Sequence, residues 1–240
     1  MSGPRSRVSA NHSWGTYHWA RTSNPFTVKL GDNVSPAWDS YLATTSSDWS
    51  KSLVLDTSVV PGLTSPRKCA ATSGRVEVCN EAYGFNGWLG TARIWATGSH
   101  ITKSIVKLND SYFNAAKYNT PAWRNMVMCQ EVGHAFGLDH QDEGFSNANL
   151  DTCMDYTNDP TSNQHPNAHD YAQLETIYAH PDSSTTLSSA TASQRGQVDG
   201  GATPAEWGRA VAFTADGRGR VFARDLGAGR AQITFVTWAN

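Results

Sequence analysis

The amino-acid sequence predicts an α+β fold, and three observations carry that expectation. Apolar runs with strand-like patterning fill the first half of the 240-residue chain, two segments with helical periodicity follow, and short strands divided by glycine-bearing turns close it. A chain of this length accommodates one full domain with an appendage, or two modest domains, and can bury a sizeable core. The expected divisions are a main domain at residues 1–182, a Ser/Thr/Ala-rich linker at 183–196 that is too polar to bury much, and a small β appendage at 197–240.

The elements follow in chain order. "PFTVKL" and "SLVLDT" are expected as strands. Between them "SPAWDSYLATTSSDW" is amphipathic, with Trp38, Tyr41 and Leu42 at helical spacing behind a Ser35-Pro36 start. "GRVEVCNEAYG", "GTARIWATG" and "KSIVKLND" give three further strands. Thr120-Pro121 then opens a helix, "TPAWRNMVMCQEVGHAFG", with Thr120 as its cap, Pro121 as its first residue and Gly137 as a left-handed stop. A last helix, "PNAHDYAQLETIYAH", gathers Tyr171, Leu174, Ile177 and Tyr178 on one face. In the tail, "RAVAFTA", "GRVFARD" and "AQITFVTWA" are separated by "DGRG" and "GAGR" and predict a small antiparallel sheet.

Composition narrows the partners. A chain that is 39% hydrophobic with a formal net charge of −2 leaves no basic footprint for nucleic acid. No apolar run approaches the roughly 20 residues of a membrane span. Neither nucleic acid nor membrane is expected as a partner, and a monomer is expected. The four cysteines form two pairs along the chain, Cys69/Cys79 and Cys129/Cys153, without Cys-x-x-Cys metal spacing. An even count in a Ser/Thr/Asn/Gly-rich chain reads as two disulfides in an oxidising compartment, with four buried free thiols as the alternative. The opening "MSGPRSRVSANHSW" lacks the apolar stretch of a signal segment, so either the protein stays inside the cell or a signal has been removed. The cysteines favour the second, a secreted protein.

Charge is unevenly distributed. From Asn125 to Gln194 there is no Lys or Arg, while ten carboxylates and five of the eight histidines fall there. Such a stretch is a favourable field for a bound cation, and equally an acidic, solvated surface. Within it lies "CQEVGHAFGLDH", Cys129 to His140. On a helix Gln130 and His134 lie one turn apart on one face and can grip one ion. Glu131 sits beside them, within reach of a metal-bound water, and Gly137 lets the chain turn back so that His140 supplies a third ligand. Three protein ligands and a water form the open arrangement of a catalytic zinc site, with Glu131 as general base. Gln-Glu-x-x-His alone is a weak pattern.

Its context makes it specific. With Gly137 and His140 at these offsets and "DTCMDYT" beyond them, the sequence resembles the metzincin clan of zinc metallopeptidases. That clan's extended motif, His-Glu-x-x-His-x-x-Gly-x-x-His, is followed by a Met-turn, and in the astacin- and serralysin-like branches by Met-x-Tyr. The resemblance implies a zincin with a mixed, mostly parallel twisted sheet, an active-site helix and a C-terminal helix, here "HDYAQLETIY". It implies a zinc ion held by Gln130, His134 and His140, Glu131 and Tyr156 as catalytic residues, and Met154 as the Met-turn residue. It also implies a peptide or protein substrate, for which "GTARIW" would be the pairing edge strand. A Cys129–Cys153 bridge would then staple the helix to the Met-turn, and Cys69–Cys79 would close a short loop ahead of the third strand. The resemblance covers residues from about 14 to 182 and not the tail.

Gln130 departs from the motif, since an amide oxygen is a neutral and harder donor than imidazole. Either it ligates, with Tyr156 or a carboxylate such as Asp139 completing the shell, or it only hydrogen-bonds a bound water, or the metal is lost. The expected activity is that of a metalloendopeptidase. The alternatives are a catalytically silent binding domain and a metal hydrolase acting on a non-peptide bond. Calcium is a second candidate ion, but Asp142, Glu143, Asn147, Asn149 and Asp151 match no calcium loop and read better as an acidic turn. His165, His169 and His180 read as surface or helix-end residues, and His12, His18 and His100 belong to no constellation. Trp38, Trp49 and Trp123 fit a core, while Trp88 and Trp95 could line a cleft. Tail arginines Arg209, Arg218, Arg220, Arg224 and Arg230 are expected to dock on the acidic segment.

Overall fold

The computed structural model describes residues 11–188 and 203–239. The chain's first ten residues, the linker from 189 and the appendage's opening residues 197–202 lie outside the described residues. In order, the elements are β1 (His18–Trp19), β2 (Phe26–Asn33), α1 (Asp39–Trp49), β3 (Leu55–Pro61), β4 (Val76–Glu81), β5 (Trp88–Thr97) and β6 (His100–Asn109). They continue with α2 (Asp110–Phe113), α3 (Pro121–His134), α4 (Ala168–Ile177), α5 (Pro204–Trp207), β7 (Arg209–Phe213), β8 (Gly219–Gly227) and β9 (Arg230–Trp238).

The α+β class is as expected, but the sheet corrects two details. Among the described residues all nine strands join one sheet in the order β3-β2-β4-β6-β5-β9-β8-β7, with β1 added at the start of β6. Four pairings are parallel and four antiparallel, so the sheet is mixed rather than mostly parallel. The three tail strands do not form a sheet of their own; β9 runs antiparallel along β5 from Trp88 to Thr97. The physical reason is the open edge of β5, whose row of unpaired backbone groups is satisfied by the hairpin β8–β9.

Helix α1 begins at Asp39, later than Ser35-Pro36 suggested. Residues 35–38 form a turn closed by Trp38 N–H donating to Ser35 O (2.8 Å), while Ser35 N–H is held by Asn80 Oδ1 (2.6 Å). Helix α3 matches its sequence signals: Thr120 Oγ1 accepts from Trp123 N–H (3.3 Å) and Pro121 is the first residue. Its last carbonyls find donors outside the helix, Ala135 O from Trp19 Nε1 and Phe136 O from the Tyr178 hydroxyl, each at 2.9 Å. Gly137 then takes φ +96°, and a Cβ there would lie 2.3 Å from Tyr17 O, so only glycine fits.

Helices α1 and α3 pack together, and α3 lies against β5, β6 and β9. The core includes Trp38, Trp49 and Trp123, as expected. Trp88 is buried among Trp207, Phe222 and Val236 rather than lining a cleft. Both disulfides form, Cys69–Cys79 and Cys129–Cys153, with Cα–Cα distances of 6.0 and 5.9 Å. Among the described residues no helix is long and apolar enough to cross a membrane.

Candidate metal centre

Helix α3 carries Gln130, Glu131 and His134 into the interior, and the turn at Gly137 returns the chain so that His140 faces His134. All four are buried. His134 Nδ1 lies 2.9 Å from Leu138 O; a carbonyl only accepts, so Nδ1 bears the proton and Nε2 is a lone pair. That lone pair points at His140 Nε2, 3.0 Å away. Two imidazole nitrogens at this separation share either one proton or one cation. Burial lowers the His134 pKa to about 4 and pushes His140 down as well, with His134 and Arg220 adding to the effect at His140. Both rings are thus neutral, the form in which imidazole ligates.

Met154 lies directly beneath this helix. A Cβ at Gly133 would come within 2.6 Å of Met154 Sδ, so a small residue between Val132 and His134 is what admits the close approach. The Cys129–Cys153 bridge and the pair Gln141 N–H to Met154 O (2.7 Å) and Tyr156 N–H to Asp142 O (3.1 Å) fix the two segments together. Tyr156 consequently sits beside His140, with ring centroids 4.2 Å apart. The helix, the turn and the Met154–Tyr156 loop thus bring His134, His140 and Tyr156 together, with Met154 against Gly133.

The tail covers them. Alternation along β9 turns Phe235 and Thr237 toward α3. Phe235 stacks on His134 at 4.5 Å and 7° between ring planes. Thr237 Oγ1 donates to Gln130 Oε1 at 2.6 Å, and the Tyr156 hydroxyl is directed at Val236 O at 3.4 Å. From β8, Arg220 places Nη1 2.8 Å from Asp139 Oδ1 and 3.4 Å from His140 Nδ1, and Nη2 2.5 Å from Glu143 Oε1. The expected docking of tail arginines on the acidic segment is thus made by Arg220. Arg218 instead pairs with Asp216, and Arg230 bonds the carbonyls of Leu226 and Gly227.

Two polar groups are left in an unusual state by this closure. The Gln130 amide nitrogen and both Glu131 carboxylate oxygens are buried without a hydrogen bond of normal geometry. Burial pushes the Glu131 pKa up to about 8, against nearby Thr237 and Ala92, which favour the charged form. Burial likewise pushes the Tyr156 hydroxyl up. Buried polar groups left without a partner, on the helix that also carries His134, are of the kind a polar guest or a cation satisfies.

The remaining candidates sort differently from the sequence reading. Of the five acidic-turn residues, Glu143 belongs to a group able to hold an ion, with Asp139 and His140, but the Arg220 guanidinium already lies among them. Asp142 Oδ1 is used within its loop, accepting from Gly144 N–H and Asn147 Nδ2. Asn149 Nδ2 bonds Asp159 O. Trp95 does line a cavity, of about 500 Å³, together with Arg93, Lys103 and Arg224. His12 pairs with Asp170 (3.0 Å) and His165 with Asp48 (2.6 Å). The reading that His18 and His100 belong to no constellation is corrected: both meet Asp182, together with His180. No spacing signal could have found this group, because its members come from distant parts of the chain. Compared with known proteins, the chain matches no protein-family model, and no curated protein is detectably similar to it in sequence.

Proposed function

We propose that the chain is a secreted, metzincin-like zinc hydrolase acting as a metalloendopeptidase, and that its own strand β9 holds it closed. The observation that carries this reading is the 3.0 Å approach of two neutral ring nitrogens, with His134 held in its ligating tautomer by Leu138 O. His134 and His140 would hold the ion, with the Gln130 amide oxygen or the Tyr156 hydroxyl as a further donor once released from Thr237 or Val236. When bound, zinc supplies Lewis acidity toward a water molecule and a substrate carbonyl. Burial in the closed form favours a protonated Glu131. Only when β9 gives way and water relieves that burial would Glu131, one residue from Gln130 on the same helix, take the proton of the attacking water and pass it to the leaving nitrogen. An extended peptide would pair with β5, the edge that β9 now occupies. Opening therefore requires β9 to give way and Arg220 to leave Asp139 and Glu143. Two disulfides support the secreted setting.

One observation favours the rival reading of a silent binding domain: Thr237 already engages the Gln130 oxygen. A peptide-hydrolysis assay on zinc-loaded protein, with and without chelator, separates the two. Slow, chelator-sensitive cleavage is expected, and Glu131→Gln should lower it by roughly 10²–10⁴-fold. Zinc well below stoichiometry together with no chelator-sensitive cleavage would remove the enzyme reading.

A further inference from the structure

A second histidine cluster lies away from α3. Strand β1 pairs in parallel with β6 in the register His18↔His100, which sets two imidazoles side by side. The segment after α4 returns to the same place, where Asp182 N–H donates to Arg21 O (2.8 Å) and Thr186 N–H to Ala20 O (3.0 Å). Three ring nitrogens then face one oxygen. Asp182 Oδ1 lies 3.3 Å from His18 Nε2, 3.2 Å from His100 Nε2 and 3.8 Å from His180 Nε2. The other carboxylate oxygen is held by Arg21 Nη1 at 2.8 Å.

The tautomer of His18 is fixed by geometry. Its Nδ1 lies 2.8 Å from Thr16 O, so Nδ1 carries the proton and the neutral ring presents a lone pair at Nε2. That lone pair faces the lone pairs of a half-buried carboxylate oxygen. Two acceptors at 3.3 Å repel unless something positive lies between them. A backbone carbonyl orienting one ring nitrogen while the other faces a carboxylate is the outer arrangement of a histidine metal ligand. Zinc bonds of about 2.0–2.1 Å in a tetrahedron put ligand atoms roughly 3.3 Å apart, the spacing of His18 from Asp182. His180 needs only a small shift, and its side chain is 63% exposed and free to make one. A cavity of about 480 Å³ lined by Tyr17, His18, Gln173 and His180 opens beside the group and gives access to water and ions.

We propose that His18, His180 and Asp182 form a second metal site, with His100 on the same carboxylate oxygen as an additional partner. Imidazoles and a single carboxylate select a divalent transition ion of the zinc class over magnesium or calcium. The site ties β1 to the end of α4, and Trp19 and Tyr178 in those segments cap the carbonyls that end α3. Its role is structural, a clamp between the two ends of the main lobe.

The test is zinc content and thermal unfolding, neither of which depends on hydrolysis. Zinc per chain after dialysis is measured for the wild-type protein, for His134→Ala/His140→Ala, and for each with His180→Ala added. His180→Ala is expected to remove one equivalent in either background, to weaken zinc binding there by ~100-fold, and to abolish the rise in Tm on adding zinc to the double variant. Should the double variant fail to fold, cobalt titration of the wild-type and His180→Ala proteins answers the same question, with one fewer equivalent expected for the variant. Equal metal content with and without His180, or a double variant that binds no zinc and shows no Tm response, overturns the proposal and leaves a protonated His18 as the positive charge facing Asp182.

Discussion

The two histidine clusters of this protein are built by opposite routes. His134 and His140 are six residues apart, on one helix and the turn that follows it, and they are sealed beneath β9. His18 and His100 reach Asp182 across 164 and 82 residues, through sheet register and a returning segment, and stand beside an open cavity. The first is local, buried and covered by the tail; the second is assembled by topology and left accessible. Local spacing thus picks out His134 and His140 while concealing their cover, and topology alone reveals the second group.

The largest effect that should separate the clusters comes from the disulfides. Removing Cys129–Cys153, a separation of 24 residues, is expected to cost ~3.5 kcal/mol by loop entropy, against ~2.7 kcal/mol for Cys69–Cys79 with its separation of 10. Denaturant unfolding measures both. The Cys129→Ala/Cys153→Ala variant should also lose metal at His134 and His140 while keeping it at Asp182. Equal loss at both sites would break the comparison.

Acid should strike the covered cluster next. The folded-state pKa of His134 is lowered to about 4 from its ordinary 6.5, so the unfolded chain binds a proton that the folded one refuses. Stability is therefore full above about 6.5 and falls as pH drops toward 4, by up to ~3 kcal/mol for such a shift. Unfolding curves in chelator across that range check it, and because His140 is held low as well, a His134→Gln/His140→Gln protein should lose most of the slope. A slope unchanged by the variant would place the acid sensitivity elsewhere.

The smallest effect expected is from Gln130→His, an increase in zinc affinity at the covered site of roughly 10–100-fold, with the second site unmoved. Isothermal titration reads it. No change at either site would put residue 130 outside the metal shell.

How far these features were legible from the residues depends on whether their causes are local. Thr120-Pro121, the one-turn spacing of Gln130 and His134, and the turn at Gly137 are local signals, and helix α3 follows them. The tail's three strands were also visible in their apolar runs and glycine turns. Where they pair was not: the open edge of β5 belongs to its neighbours' arrangement, and nothing in "GTARIW" says that β9 will fill it. Gly133 lay unremarked because its meaning is the Met154 sulfur pressed against it from another segment. Arg220 stood out only as one of five tail arginines, since its partners Asp139 and Glu143 become neighbours through β8.

Hydrolysis by the Arg220→Ala protein tests the central proposal, a zinc hydrolase closed by its own tail, most directly. Loss of the two ion pairs should shift the balance toward the open state by at least ~1.4 kcal/mol, and so raise chelator-sensitive cleavage of a general peptide substrate about tenfold or more over wild type. Adding Glu131→Gln should return it to the background. Zinc-loaded Arg220→Ala protein that stays folded yet cleaves no faster than wild type, with or without Glu131, would contradict the account.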